Sequence, residues 1–177
     1  MTLYVARHGE TDHNVKRLIS GRVDAQLTEK GYEQAAVLAE NVTQLERPVT
    51  QIIHSPLTRA KETARIVAEA IKLPLIQDER LMEMDFGIYD SQPIPTTAFQ
   101  LTRPNFTYRF PEGESVLDMA ARLYPLLAEC RESDETILLV CHNAVMRTIH
   151  TYFEDMTNQQ YFDFNVPNTG LMQYEFN

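Results

Sequence analysis

The sequence has no tryptophan, only two cysteines and six glycines in 177 residues, and its 16 lysines and arginines are outnumbered by 25 acidic residues. Each shortage excludes something. Two cysteines form one disulfide at most, which excludes a disulfide-stapled scaffold. Cys141 lies inside the apolar run TILLVC, where a free buried thiol in a reducing compartment is the expectation. A formal charge of −9 provides no basic surface for nucleic acid or an anionic membrane, so neither is an expected partner. No window reaches the ~18–20 apolar residues of a membrane span, and the stretch before Arg7 is too short and uncharged for a signal peptide. A cytoplasmic protein is expected. Any anion it binds must be held by a local basic pocket.

What is present is a core, since 44% of the residues are hydrophobic, enough for one compact domain over the whole chain. Apolar runs at Leu3–Ala6, Ile52–Ile53 and Ile137–Cys141 read as buried strands, each followed by a polar turn and a helical pattern. That alternation predicts an α/β fold, with a largely parallel central sheet flanked by helices on both faces. One helix is expected after Thr28, with apolar residues at Ala35, Leu38, Ala39, Val42 and Leu45. A second is expected with Ser55 as its cap and Pro56 in the first helical position. A third starts at Ser115, with Asp118 three residues on, and Pro125 is expected to kink it. A fourth follows His142, and TGLMQYEF alternates like an edge strand. Between Phe86 and Gly113 four prolines and six aromatics follow no period, as expected of a loop-rich cap.

Ligands of open α/β sheets sit beyond the carboxyl ends of the strands. Arg7 and His8 follow the first strand, His54 and Ser55 the second, His142 the third. Three chemistries compete there. His8, Glu10, Asp12 and His13 have ligand types that suit zinc or manganese, but Arg7 sets a fixed cation beside them. Cys141, followed after five residues by Arg147 and Thr148, matches the spacing of cysteine-dependent phosphatases. Those cradles curl tightly and use glycine, which residues 142–146 lack, and Val145 is β-branched. The third candidate is a histidine nucleophile, which makes use of RHGE.

RHGETDHN resembles the signature of the histidine phosphatase superfamily, also called phosphoglycerate mutase-like. Four further stretches match that family in order: SGRVDAQLTEKG, HSPLTRAKETA, LMEMDFG and VCHNAVMR. The resemblance implies a phosphoglycerate mutase-like fold and a small phosphorylated substrate, with no metal or organic cofactor. It implies that His8 attacks phosphorus to give a phosphohistidine, that Glu83 protonates the leaving oxygen and then activates water, and that His142 is the family's second histidine. Arg7, Asn14, Arg59 and Asn143 are the implied phosphate contacts, with Ser20 and Gly21 matching less directly. Arg147 either braces the site or lies on the surface.

Arg59 has independent physical support. It falls near the start of a helix, where the dipole favours anions over cations, and a bound phosphate resolves that conflict. His13, His54 and His150 match no catalytic position and are expected on loops or helix surfaces. The reading is hydrolysis of phosphomonoesters, with a phosphoglycerate-type mutase as the alternative. A noncatalytic phosphate-binding module is a further alternative, because Asn143 stands where the family often has glycine.

Overall fold

Continuous rather than alternating apolar runs mark strands covered on both faces. The computed structural model, which describes residues 1–94 and 96–176, has that arrangement. Pro95, part of the expected cap, lies outside the described residues. In chain order the elements are β1 (Thr2–Arg7), α1 (Asp12–Lys16), α2 (Glu29–Thr43), β2 (Gln51–His54), α3 (Thr58–Ile71), β3 (Leu75–Gln77), α4 (Thr97–Thr102), α5 (Val116–Glu132), β4 (Ile137–Cys141), α6 (Asn143–Phe153), α7 (Asn158–Asp163) and β5 (Leu171–Glu175). The sheet runs β3-β2-β4-β1-β5. All pairings are parallel except β1 with β5, so the C-terminal strand forms one edge, as its alternation predicts.

Strand side chains point alternately to the two faces. Leu3, Val5, Ile137, Leu139 and Cys141 pack with Met119, Leu123 and Leu127 of α5 and Val145 and Ile149 of α6. Tyr4, Ala6, Leu138 and Val140 pack on the other face with Leu38 and Val42 of α2 and Ala60, Ala64 and Val67 of α3. The result is helices on both faces of a mainly parallel sheet. No helix among the described residues is long and apolar enough to cross a membrane.

Local signals hold at two helix starts and fail at a third. The Thr28 side chain accepts from the Gly31 N–H, and Ser115 with Asp118 forms a reciprocal capping box. Ser55, however, does not cap α3, which begins at Thr58 after Leu57 with no side-chain cap. Its hydroxyl lies 2.7 Å from His142 Nε2 and accepts from the Leu57 N–H at 3.3 Å, so it is engaged before the helix begins. Helix α5 continues through Pro125. Strand β3 and helices α1 and α7 escape a periodicity search because each is too short to show a period. Within the cap, Phe99 packs against Phe86, Tyr89 and Phe110 at ring separations of 5.4 to 5.6 Å, and these aromatics join the core on the α5 and α6 face of the sheet.

Two glycines of the sequence motifs have one cause. A Cβ on Gly9 would lie 2.4 Å from the Gly31 carbonyl oxygen, and one on Gly31 2.1 Å from that of Glu10. The turn after β1 therefore presses directly onto the first turn of α2, which fixes where His8 begins.

Candidate active site

Strand register brings the expected ends together. Arg7 stands opposite Cys141 and His54 opposite Val140, with β4 between β1 and β2. The His8 N–H continues this ladder to the Cys141 carbonyl at 3.1 Å, and the Ser55 N–H to that of Val140 at 3.0 Å. His8, Ser55 and His142 thus share one end of the sheet, and the two histidine rings lie 5.2 Å apart.

The His8 tautomer follows from its partner. Nδ1 lies 2.7 Å from the Gly9 carbonyl, which only accepts, so Nδ1 carries the proton and Nε2 keeps its lone pair. Burial, followed by the charges of Arg59 and Arg7, pushes this imidazole well below its ordinary value. A buried neutral imidazole with a free Nε2 is a competent nucleophile at neutral pH.

His142 is fixed differently. Its Nδ1 faces Arg59 Nε at 3.2 Å, and guanidinium only donates, so the ring proton is on Nε2 and goes to Ser55 Oγ. Burial and then Arg59 push this ring well down too. Both histidines are therefore neutral in the fold, with a consequence for stability. Above about pH 6.5 neither folded nor unfolded chain protonates them; below it only the unfolded chain does. Stability should fall by up to about 1.4 kcal/mol per pH unit for each ring below that point. Urea midpoints from about pH 7.5 to about pH 5.5 check this, and a flat profile would contradict burial of neutral rings.

The cations at this end have no acid in ion-pair contact among the described residues, and the charge of Glu83 acts on both from farther off. Arg59 is fully buried, donating to the carbonyls of Val23 at 2.8 Å and Gly21 at 2.7 Å, and burial lowers its guanidinium to about 10. Arg7 donates to the Val166 carbonyl at 2.6 Å while its Nε, also buried, has no partner. Among the described residues neither arginine forms an ion pair. The Ser20 hydroxyl is likewise buried without a partner. Unpaired buried charge is costly, so the arrangement favours an incoming anion. The N-termini of α3 and α6 point to the same end of the sheet.

Glu83 is buried, with Oε1 accepting from the Met84 N–H at 2.9 Å and Oε2 from that of Ala144 at 3.2 Å. This second bond ties the acid to the first turn of α6, one residue from Asn143. The remaining expected contacts are placed less simply. Asn14 is the third residue of α1 and closes a capping box with Thr11, its Oδ1 also accepting from Asn168. Asn143 turns its Oδ1 to the Val166 N–H at 2.9 Å. Gly21 gives its N–H to Asp90 and its carbonyl to Arg59, so neither backbone group is free for a ligand. His54, expected at the surface, is instead buried with Nδ1 donating to the Ser55 carbonyl at 2.8 Å, because β2 ends inside the sheet. Arg147 is also buried.

The rival chemistries fare poorly. Glu10 pairs with Lys30, and Asp12 with Lys16, so the acids of the metal reading have cation partners. No group of three or more metal-ligating side chains converges among the described residues. Cys141 is fully buried, and burial raises its thiol far above the ordinary range, opposite to what a thiolate nucleophile needs. Cys130 is free as well.

Sequence reasoning missed three supports. Asp90 accepts the N–H groups of Gly21, Arg22 and Val23, shaping the loop that receives Arg59. The segment at 164–170 holds Arg7 through Val166, the His8 carbonyl through Asn168 and Thr169, and Arg147 through Phe164. Ser55 fixes the His142 ring. Only Ser55 lies in a recognised motif, and there it reads as a cap.

Comparison with known proteins gives the family and the fold. The family model for the histidine phosphatase superfamily (branch 1) matches residues 3–177. "Probable phosphoglycerate mutase GpmB" of Enterobacter sp. (strain 638) is 36% identical over 155 residues, 82% of this chain and 71% of that protein. The structure of a mycobacterial glucosyl-3-phosphoglycerate phosphatase complexed with VO3 is similar with a TM-score of 0.87 and 28% identity, over 97% of this chain and 91% of that one. The alpha-ribazole phosphatase from Shigella flexneri gives a TM-score of 0.86 at 26% identity, over 100% and 91%.

Proposed function

Because the chain belongs to the histidine phosphatase superfamily (branch 1), we propose that it hydrolyses small phosphomonoesters through a phosphohistidine on His8. The observation that carries the reading is the free Nε2 of a neutral His8, held by Gly9, beside the unpaired cations Arg7 and Arg59. Nε2 attacks phosphorus as the bond to the leaving oxygen breaks, and Glu83 gives that oxygen a proton. Glu83, now a carboxylate, takes a proton from water as the water oxygen attacks phosphorus. Phosphate leaves, and His8 recovers its lone pair. The arginines neutralise oxyanion charge throughout, which is most of what phosphoryl transfer requires.

His142 follows the charge. An oxyanion that takes Arg59 Nε frees His142 Nδ1, and Ser55, whose hydroxyl either donates or accepts, lets the ring exchange tautomers and turn an N–H toward the anion. Asn14, Ser20 and Asn143 complete the contacts, whereas Gly21 shapes the loop.

A mutase reading has support from the names of sequence relatives. Hydrolysis is favoured because the similar solved structures include phosphatases, and because a cavity bordered by Glu83 opens to solvent, where a mutase must keep water from its phosphoenzyme. Turnover of p-nitrophenyl phosphate with glycerol as acceptor separates the readings. The expected result is one phosphate released per nitrophenolate, with or without EDTA. Dominant transfer to glycerol would replace hydrolysis by transferase chemistry, and no turnover would leave a binding module.

A further inference from the structure

Residues 82–86, which carry Glu83, belong to no helix or strand, so the backbone there is held by something other than a ladder. Glu114, just before α5, and Arg122, within it, supply the hold. Arg122 donates Nη1 to the Arg80 carbonyl and Nη2 to the Glu83 carbonyl, the latter at 3.3 Å. Its Nε and Nη2 also meet the two carboxylate oxygens of Glu114 at 2.9 and 3.0 Å, a bidentate pair. Glu114 in turn accepts the Asp85 N–H at 3.0 Å and donates its own N–H to the Asp85 carbonyl at 2.9 Å. The chain is thus gripped on both sides of the Glu83 side chain.

The same carboxylate reaches the cation end of the site. Arg22 donates Nη2 to Glu114 at 3.3 Å and Nη1 to the Met82 sulfur at 2.9 Å. Arg22 lies between Gly21 and Val23, whose carbonyls hold Arg59. Glu114 therefore joins the loop that seats Arg59 to the segment that carries Glu83. Burial alone would raise the Glu114 carboxyl, but its bonds to Arg122, the Asp85 N–H and the Arg22 charge outweigh burial and hold it below the usual range. Among the described residues that border the cavity beside Glu83, neither Glu114 nor Arg122 is found, so their effect on a reaction there runs through what they hold.

We propose that Glu114 and Arg122 are positioning residues that clamp the Glu83 segment to the Arg59 loop, and so fix the distance from the proton donor to the bound phosphoryl group. This rests on the reading of Glu83 as proton donor but makes its own claim about what holds it. The leaving oxygen is one bond from phosphorus, and Arg59 sets where phosphorus lies. A misplacement of about 1 Å between acid and oxygen can cost about 10²-fold in rate, so an irregular segment carrying the acid needs a fixed reference to the phosphate site.

The test uses Arg122→Lys, which keeps a positive charge beside Glu114 and toward His142, although one ammonium cannot span Glu114, Arg80 and Glu83 together. In single-turnover phosphorylation of His8 it should slow benzyl phosphate, whose alkoxide needs a proton to leave, about tenfold or more, and p-nitrophenyl phosphate about threefold or less. In a Glu83→Gln background the same substitution should cost benzyl phosphate about threefold or less, because the donor it positions is already gone. Amide exchange reads the clamp without turnover. The Met84 and Ala144 N–H groups, bound by Glu83, should exchange about tenfold faster in Arg122→Lys, with the β1 and β4 amides unchanged. Glu114→Asp, which keeps the charge and shortens the reach to Asp85, should give the same pattern and replaces Arg122→Lys if that variant fails to fold. Faster exchange at those two amides, with no separation of the two substrates by Glu83→Gln, would support the clamp and overturn the proton-donor reading. Equal losses on both substrates, the same loss with and without Glu83, or unchanged exchange at both amides would overturn the clamp.

Discussion

His8→Ala is expected to bring turnover of every phosphomonoester to background, whereas Cys141→Ser keeps most of the wild-type kcat. The contrast follows from what each residue offers. His8 presents an unprotonated Nε2 at the end of β1, with its other nitrogen held by Gly9 at 2.7 Å. Cys141 presents a thiol with no exposure, donating to the His142 carbonyl at 3.9 Å. A serine there adds a buried hydroxyl and is expected to cost about 1–3 kcal/mol of stability, visible as a lower urea midpoint without a change in mechanism. Loss of activity in Cys141→Ser with retention in His8→Ala would move the chemistry to the thiol.

Glu83→Gln is expected to separate substrates by leaving group. Removing a general acid costs about 10²- to 10⁴-fold. That loss should fall on alkyl and sugar phosphates, whose alkoxides leave poorly without a proton, and largely spare p-nitrophenyl phosphate. Single-turnover bursts read phosphorylation of His8 alone and exclude the later water step. The substitution is mild structurally, because a glutamine oxygen still accepts one of the two backbone N–H groups now bound by Glu83. Equal losses on both substrate classes would make Glu83 an orienting group, and no loss on either would remove it from the mechanism.

How much of this was legible depends on how local each feature is. The buried strands at Leu3–Ala6 and Ile137–Cys141 are continuous apolar runs, and a sheet covered on both faces needs nothing else to be read. Their ends could be assigned to one crevice because parallel strands align their carboxyl ends, and the opposition of Arg7 and Cys141 realises that alignment. Ser55 reads from its neighbours as a cap, whereas its partner lies 87 residues away on His142. Gly21 is a motif residue, but its N–H belongs to Asp90 in a different segment, and no local rule reports that pairing. The 164–170 segment follows the last matched motif and carries only turn chemistry. Its function arises because Val166 and Asn168 return to Arg7 and His8 across the sheet end. The family resemblance thus singles out His8 as the proposed nucleophile with Arg7 and Arg59 as its cations, while the contacts that hold these residues in place come from long-range geometry.

The most direct measurement is the covalent state of the enzyme during turnover. Protein quenched with base within the burst of a phosphomonoester should carry one phosphoryl group, stable to base and lost in acid, on the peptide containing Arg7, His8 and Gly9. A quenched enzyme without phosphate during active turnover, or with phosphate mapped to the peptide of Cys141, would contradict the account.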